Sequence, residues 1–149
     1  MNDRFMNGLI AGAAGGLASI IVDTFFVDIL HFGTLRFADF AGILILGSKP
    51  ASIGEFIFAK IGHLGFAAVQ GVIFAYLIIA LSNRYIIAKG IVYGLGVWFI
   101  SYVTTFLFKV PQLTDISLNS AIVDYLSSAV YGATLAYSFG MLEQRGASI

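Results

Sequence analysis

Apolar residues in this chain come in long unbroken runs, not at the spacing of a half-buried soluble helix. Four of these runs are long enough to cross a lipid bilayer. The first opens at Phe5 and carries no charge as far as Val22, and the others extend from Ile61 to Asn83, Gly90 to Phe108 and Tyr125 to Leu142. Each holds about 18 residues or more, which at about 1.5 Å per helical residue matches roughly 30 Å of hydrocarbon. None alternates with period two, so helices fit and the strands of a membrane barrel do not. With flanking residues added, the pattern predicts spans near 5–32, 53–82, 86–108 and 119–142, within a single transmembrane helical domain over residues 1–149. Pro50 and Pro111 both fall between spans, where a missing amide donor does little harm. Ser52 and Glu55 have capping-box spacing at the start of the second span, a spacing that two common residues also reach by chance.

One apolar stretch does not fit the span pattern. RFADFAGILILG, from Arg36 to Gly47, is too short to cross and too apolar to sit in water. It is expected either as a re-entrant or interfacial helix, or as a lid packed on the end of the bundle.

Composition supports a membrane protein. Hydrophobic residues make up 59% of the chain and charged ones 11%, against roughly 25% charged in a soluble domain. A net charge of zero gives no case for nucleic acid. The absence of cysteine removes disulfides, thiolate chemistry and thiolate metal sites together. A cleaved signal peptide is not expected, because Asp23 and Asp28 follow the first apolar run and no soluble segment comes after it. Four spans place both termini on one side, with Arg4, Arg84, Lys89 and Arg145, while Arg36, Lys49, Lys60 and Lys109 lie on the other. This tie leaves the positive-inside rule undecided. The acidic residues gather on the second side, and on that weaker signal the termini are expected in the cytoplasm and the chain in the cell membrane.

Small residues recur four apart on every span. Gly8, Gly12 and Gly16 line the first, Ala67, Gly71 and Ala75 the second, Gly90 and Gly94 the third, and Ser128, Gly132, Ala136 and Gly140 the fourth. Such seams let backbones approach closely, either within one bundle or between copies. The segments AAVQGVIFAY (67–76) and SAVYGATLAY (128–137) also match at five positions, and Gly8, Gly12 and Ser19 recur as Gly90, Gly94 and Ser101. This suggests a two-helix duplication with the 36–47 segment inserted in the first half, a parallel repeat about an axis along the membrane normal.

Ionisable groups at membrane depth cost about 2.5–3.5 kcal/mol on insertion scales and normally face protein or water. Asp23, His63 and Asp124 all fall in the membrane half away from the termini, with His63 and Asp124 at equivalent positions of the repeat and Asp23 aligned with Thr105. Lys60, one turn from His63, is placed to neutralise a carboxylate. The expected cluster is therefore Asp23, His63, Asp124, Lys60 and Thr105. Such a cluster could be a satisfied structural network, a path for an ion, proton or small solute, or a metal site whose metal is unknown. No HExxH or ExxH pair accompanies it, and GLIAGAAGG lacks the strand and lysine of a phosphate loop.

Several longer stretches carry a resemblance: HFGTLRFADFAGILILGSKP (31–50), IGHLGFAAVQGVIFAYLI (61–78), KGIVYGLGVWF (89–99), LFKVPQL (107–113) and YGATLAY (131–137). Through them the chain resembles a family of small, uncharacterised four-helix integral membrane proteins of Gram-positive, often spore-forming, bacteria. The resemblance implies membrane location and four helices, with no activity and no functional residue to carry over. The expected role is a non-enzymatic structural or accessory subunit of a membrane assembly. The alternative is a small oligomeric channel or transporter using the Asp/His cluster. No cofactor is expected, and the expected partners are the lipid bilayer and a further copy of the chain or another membrane protein.

Overall fold

The computed structural model describes residues 3–81 and 84–147. Asn83 at the end of the second apolar run, Ser82 at the end of the expected second span, and positions 1–2 and 148–149 of the expected domain lie outside them. Among the described residues the chain is all helix. α1 (Arg4–Thr24) starts where the Asp3 carboxylate accepts from the Phe5 and Met6 amides at 3.0 and 3.3 Å. It continues through a wider π turn over Phe25–Ile29, in which the Leu30 amide reaches back five residues to the Phe25 carbonyl. α2 (Phe37–Leu46) ends at Gly47, whose φ of +78° suits a residue without a β-carbon. α3 (Ile53–Leu81) opens with the Ser52–Glu55 capping box closed in both directions, at 3.2 and 3.3 Å. α4 (Ile86–Leu107) and α5 (Leu118–Ala147) complete the chain.

Three helices are long and apolar enough to cross a membrane: Arg4–Ile29, Ile53–Leu81 and Ile86–Leu107. By length and composition this is one fewer than the four expected. The 119–142 segment is helical and long enough, but not apolar enough. Its position explains the shortfall. α5 packs on both α1 and α4, so the stripe holding Ser120, Asp124, Ser127 and Ser128 faces protein. A helix sheathed this way need not match lipid along its whole surface. The first span also ends at Ile29, before the expected residue 32.

Across the bundle the order is α3, α1, α5, α4, each antiparallel to its neighbour, while α3 and α4 scarcely touch. The two outer pairs are built alike. At the α1–α3 crossing, a β-carbon on Gly8 would stand 2.8 Å from the Gly71 carbonyl oxygen and 2.9 Å from the Ala75 side chain, and one on Gly12 would stand 2.9 Å from the Gly71 Cα. At the α4–α5 crossing, Gly90 meets the Gly132 carbonyl and Ala136, and Gly94 meets Ser128 and Gly132. Thus Gly90, Gly94, Gly132 and Ala136 stand in the places of Gly8, Gly12, Gly71 and Ala75. Gly16 packs on Ala67 and Leu64, whereas Gly140, next along the α5 seam, faces open space.

Two apolar cores result. One, around Phe74, Ile78, Leu135 and Phe139, fills the end near the termini, where Arg4 pairs with Glu143 at 2.6 Å and donates to the Ala75 carbonyl. The other, around Leu35, Phe37, Phe40, Ile43 and Leu113, sits at the opposite end, where α2 is tucked against α3 and reaches α4 by stacking Phe40 on Tyr102.

Replacing Gly12 or Gly94 by leucine should force the paired backbones apart. Each is expected to cost about 1–3 kcal/mol or more from overpacking, read as a lower melting temperature in detergent. Gly65→Ala, on a helix surface where a β-carbon meets nothing, should instead hold or raise stability by up to about 1 kcal/mol.

Candidate functional site

Toward the α2 end, three carboxylates are sealed inside the bundle: Asp23 on α1, Asp39 on α2 and Asp124 on α5, each 2% exposed or less. Asp124 accepts from the Tyr102 hydroxyl at 2.6 Å through one oxygen, and its other oxygen has no hydrogen-bond partner among the described residues. Neither Asp23 oxygen closes a hydrogen bond, although the group faces the Ser127 hydroxyl and the Phe37 and Ala38 amides. Those amides belong to the first turn of α2, whose unpaired N–H groups favour an anion. Asp23 feels the charge of Asp39, and Asp124 that of both.

Asp39 is anchored from outside. Its carboxylate accepts from the Arg36 amide at 3.0 Å and pairs with the Arg36 guanidinium at 3.5 Å and Lys49 at 3.8 Å. Arg36 also pairs with Asp28. Burial opposes the guanidinium's charge, but the Asp28 and Asp39 carboxylates outweigh it and raise its pKa above the ordinary value. Lys49 further donates to the Thr34 carbonyl, and Ser120 accepts from the Thr34 and Leu35 amides at 3.1 and 3.3 Å. The loop into α2 is thereby tied to the start of α5.

His63 is buried one turn deeper. Its Nε2 lies 3.0 Å from the Ser19 hydroxyl, whose other neighbour is the Gly16 carbonyl at 2.9 Å. All three groups are satisfied when Ser19 donates to Gly16 and accepts from an Nε2–H. Ser127 donates to the Ser19 carbonyl at 3.1 Å, linking this group to the Asp23 side. Beside His63 is a void of about 20 Å³, also lined by Gln70, Ser128 and Tyr131, enough for about one water.

Among the residues singled out from sequence, Asp23 and Asp124 come together, and His63 joins them only through Ser19 and Ser127. Thr105 is buried, but its hydroxyl donates to the Tyr102 carbonyl of its own helix. Lys60 is exposed and forms no ion pair among the described residues. It does not neutralise a carboxylate, because its register on α3 turns it away from the interior. No group of three or more His, Asp or Glu residues suited to a metal occurs among the described residues. Asp39, Tyr102, Ser19 and Ser127 complete the site. Arg36 has no side-chain acceptor with which to close a capping box, so the RFAD spacing gives no signal for Asp39.

Next to the polar site, a cleft of about 580 Å³ opens on the side of the bundle between α3 and α4 under α2. Phe37, His63, Phe66 and Gln70 line both this cleft and the small void.

Tyr102→Phe should strand the Asp124 carboxylate, lowering stability by about 1–3 kcal/mol. Lys60→Ala should stay within about 0.5 kcal/mol of wild type, as surface changes usually do. Thermal unfolding in one detergent measures both.

No curated protein and no solved structure matches the chain. A family model does match, over residues 3–148. On that coverage the chain belongs to DUF6789, a family of unknown function.

Proposed function

We propose that this protein is a four-span integral membrane bundle, descended from a duplicated helix pair, that serves as a non-enzymatic structural or accessory subunit of a membrane assembly. α5 is the fourth span, carried across by its neighbours rather than by its own apolarity. The duplication is supported by the matched crossings, in which Gly8, Gly12, Gly71 and Ala75 have counterparts with the same neighbours. Its place is the cell membrane, with the termini on the cytoplasmic side.

The observation that carries the functional reading is how the polar side chains are used. Tyr102, Ser19, Ser127, Ser120 and Arg36 tie one helix or loop to another. The void at His63 holds about one water, and the half toward the termini is filled by Phe74, Ile78, Leu135 and Phe139. An element that cross-links its own helices so densely suits a scaffold on which other membrane proteins assemble. Apart from Gly140, the small-residue seams are used inside the chain, so such partners meet its outer faces.

A second reading, an oligomeric ion or proton pathway, is favoured by one observation: three buried carboxylate oxygens of Asp23 and Asp124 have no partner, and a cation or proton would supply one.

Reconstituted vesicles separate the two. For a scaffold, wild-type protein gives no cation or proton flux above empty vesicles, and His63→Ala and Asp124→Asn lower stability by about 1–3 kcal/mol. Reproducible wild-type flux that these substitutions change, with the fold intact, would establish the pathway instead.

A further inference from the structure

We propose that Asp23 and Asp124 form a binding site for a single proton, carried by the Asp124 carboxyl and donated to the Asp23 carboxylate. The proton is held as part of the bundle, which goes beyond the scaffold reading without depending on it.

The contact of α1 with α5 brings the two groups face to face. These helices run antiparallel and close together. A β-carbon on Gly15 would stand 2.8 Å from the Tyr131 carbonyl oxygen, and Ser127 donates to the Ser19 carbonyl at 3.1 Å. Asp23 lies four residues beyond Ser19, and Asp124 three before Ser127. Both steps lead toward the α2 end, by about 6 and about 4.5 Å at about 1.5 Å per residue. Steps of three and four keep to one face of a helix, so both side chains stay on the α1–α5 contact. Their neighbours agree with this. The Ser127 hydroxyl faces Asp23, and Tyr102, which donates to Asp124 at 2.6 Å, feels the Asp23 charge as well.

No protein cation reaches the pair. Asp23 is 1% exposed and Asp124 0%. Arg36 pairs with Asp28 and Asp39, and Lys49 with Asp39, whereas no ion pair among the described residues includes Asp23 or Asp124. From α4 comes the Tyr102 hydroxyl, from α3 His63, bonded to Ser19, and from α2 Asp39, a further negative charge that acts on both. Neighbouring carboxylates shielded from water do not both stay ionised when nothing positive faces them. One of them takes a proton.

The unpartnered oxygens place it. They are both oxygens of Asp23 and Oδ1 of Asp124. Oδ2 of Asp124 is occupied by Tyr102, so the proton sits on Oδ1 and turns it into a donor. One Asp23 oxygen accepts from it, and the other is left to the Ser127 hydroxyl and the Phe37 and Ala38 amides. A single proton thus answers all three oxygens. The reverse assignment fits less well, because the first turn of α2 favours the negative charge on Asp23. A metal cation would need further oxygen ligands around it. What faces the pair is instead the hydrogens of Tyr102, Ser127 and the α2 amides.

The test is infrared spectroscopy of the full chain at neutral pH, in a maltoside detergent that has no carbonyl of its own. Wild type should show the C=O band of a protonated carboxylic acid. Labelling aspartate with carbon-13 at the side-chain carboxyl should move that band down, separating it from lipid esters. Asp124→Asn should remove the band, Asp23→Asn should remove or shift it because the acceptor changes, and Asp39→Asn should leave it in place. Tyr102→Phe, which frees the other Asp124 oxygen, should shift it, and this variant decides the assignment if neither asparagine variant of the pair folds. A wild-type spectrum with no aspartic acid band would overturn the proposal. So would a band that survives in folded Asp124→Asn, or one that neither Asp23→Asn nor Tyr102→Phe moves. Absence of the band, together with a melting temperature raised by sodium or potassium but not by choline at equal ionic strength, would assign the pair to a metal cation instead. Flux through reconstituted vesicles would count against the scaffold reading whatever the infrared result, so the two can fail separately.

Discussion

Lipid gives two helices no hydrophobic reason to leave it for one another, so association depends on how closely their backbones can approach. Here that approach is set at Gly71 and Gly132. Each lies so near the glycine-lined face of its partner helix that a β-carbon would have no room. With the α1–α3 and α4–α5 crossings fixed, the remaining freedom is how the two pairs meet. Ala11 and Gly15 let α1 close on α5, and Tyr93 keeps α4 from closing on α3. One interface is dry and tight and the other is a cleft, although the two pairs are built from matching parts.

The same asymmetry locates the polar site. Because α1 and α5 are in close contact, Asp23 and Ser19 on one meet Asp124 and Ser127 on the other away from lipid. Because α3 and α4 are apart, α2 can enter at that end, and it brings the amides of its first turn toward Asp23 and the side chain of Asp39 alongside. Burying three carboxylates together is costly without partners. The Arg36 and Lys49 contacts offset that cost for Asp39, and the Tyr102 hydroxyl offsets part of it for Asp124. Asp23 has the Ser127 hydroxyl and the first-turn amides of α2 nearby but no cation, which makes it the least compensated of the three.

What could be read from the sequence follows the range of the interactions involved. Gly8, Gly12, Gly90 and Gly94 were legible because a small residue every four positions is a local pattern with one physical use in a membrane helix. The start of α3 was legible for a similar reason, since a capping box involves residues three apart. α5 falls short of the other three in apolarity because hydropathy assumes a lipid environment, and Ser120, Ser127 and Ser128 face other helices instead. Lys60 was misplaced because lying one turn from His63 fixes height along α3 but not direction around it. Asp39 was not singled out from the acidic residues of the second side, since nothing local reveals that the loop from Leu30 to Arg36 turns it inward. Ser19 and Ser127 were missed because a serine in an apolar helix becomes informative only when its partner on another helix is known.

The insertion of α2 into only one half of a matched pair has a consequence for stability. The α1–α5 contact and the glycine crossings bury backbone against backbone, so loosening them would give up close packing contacts that lipid tails restore poorly. The α2 end is held differently, by the Arg36–Asp28–Asp39 ion pairs, the Lys49 contacts and the Ser120 acceptor, side-chain contacts that include the partly exposed Asp28 and Lys49. Such regions open at lower free energy than a packed core. The glycine crossings are therefore the tightly packed frame of the fold, and the α2 end, which covers the cleft and the buried carboxylates, is attached to it through polar side chains.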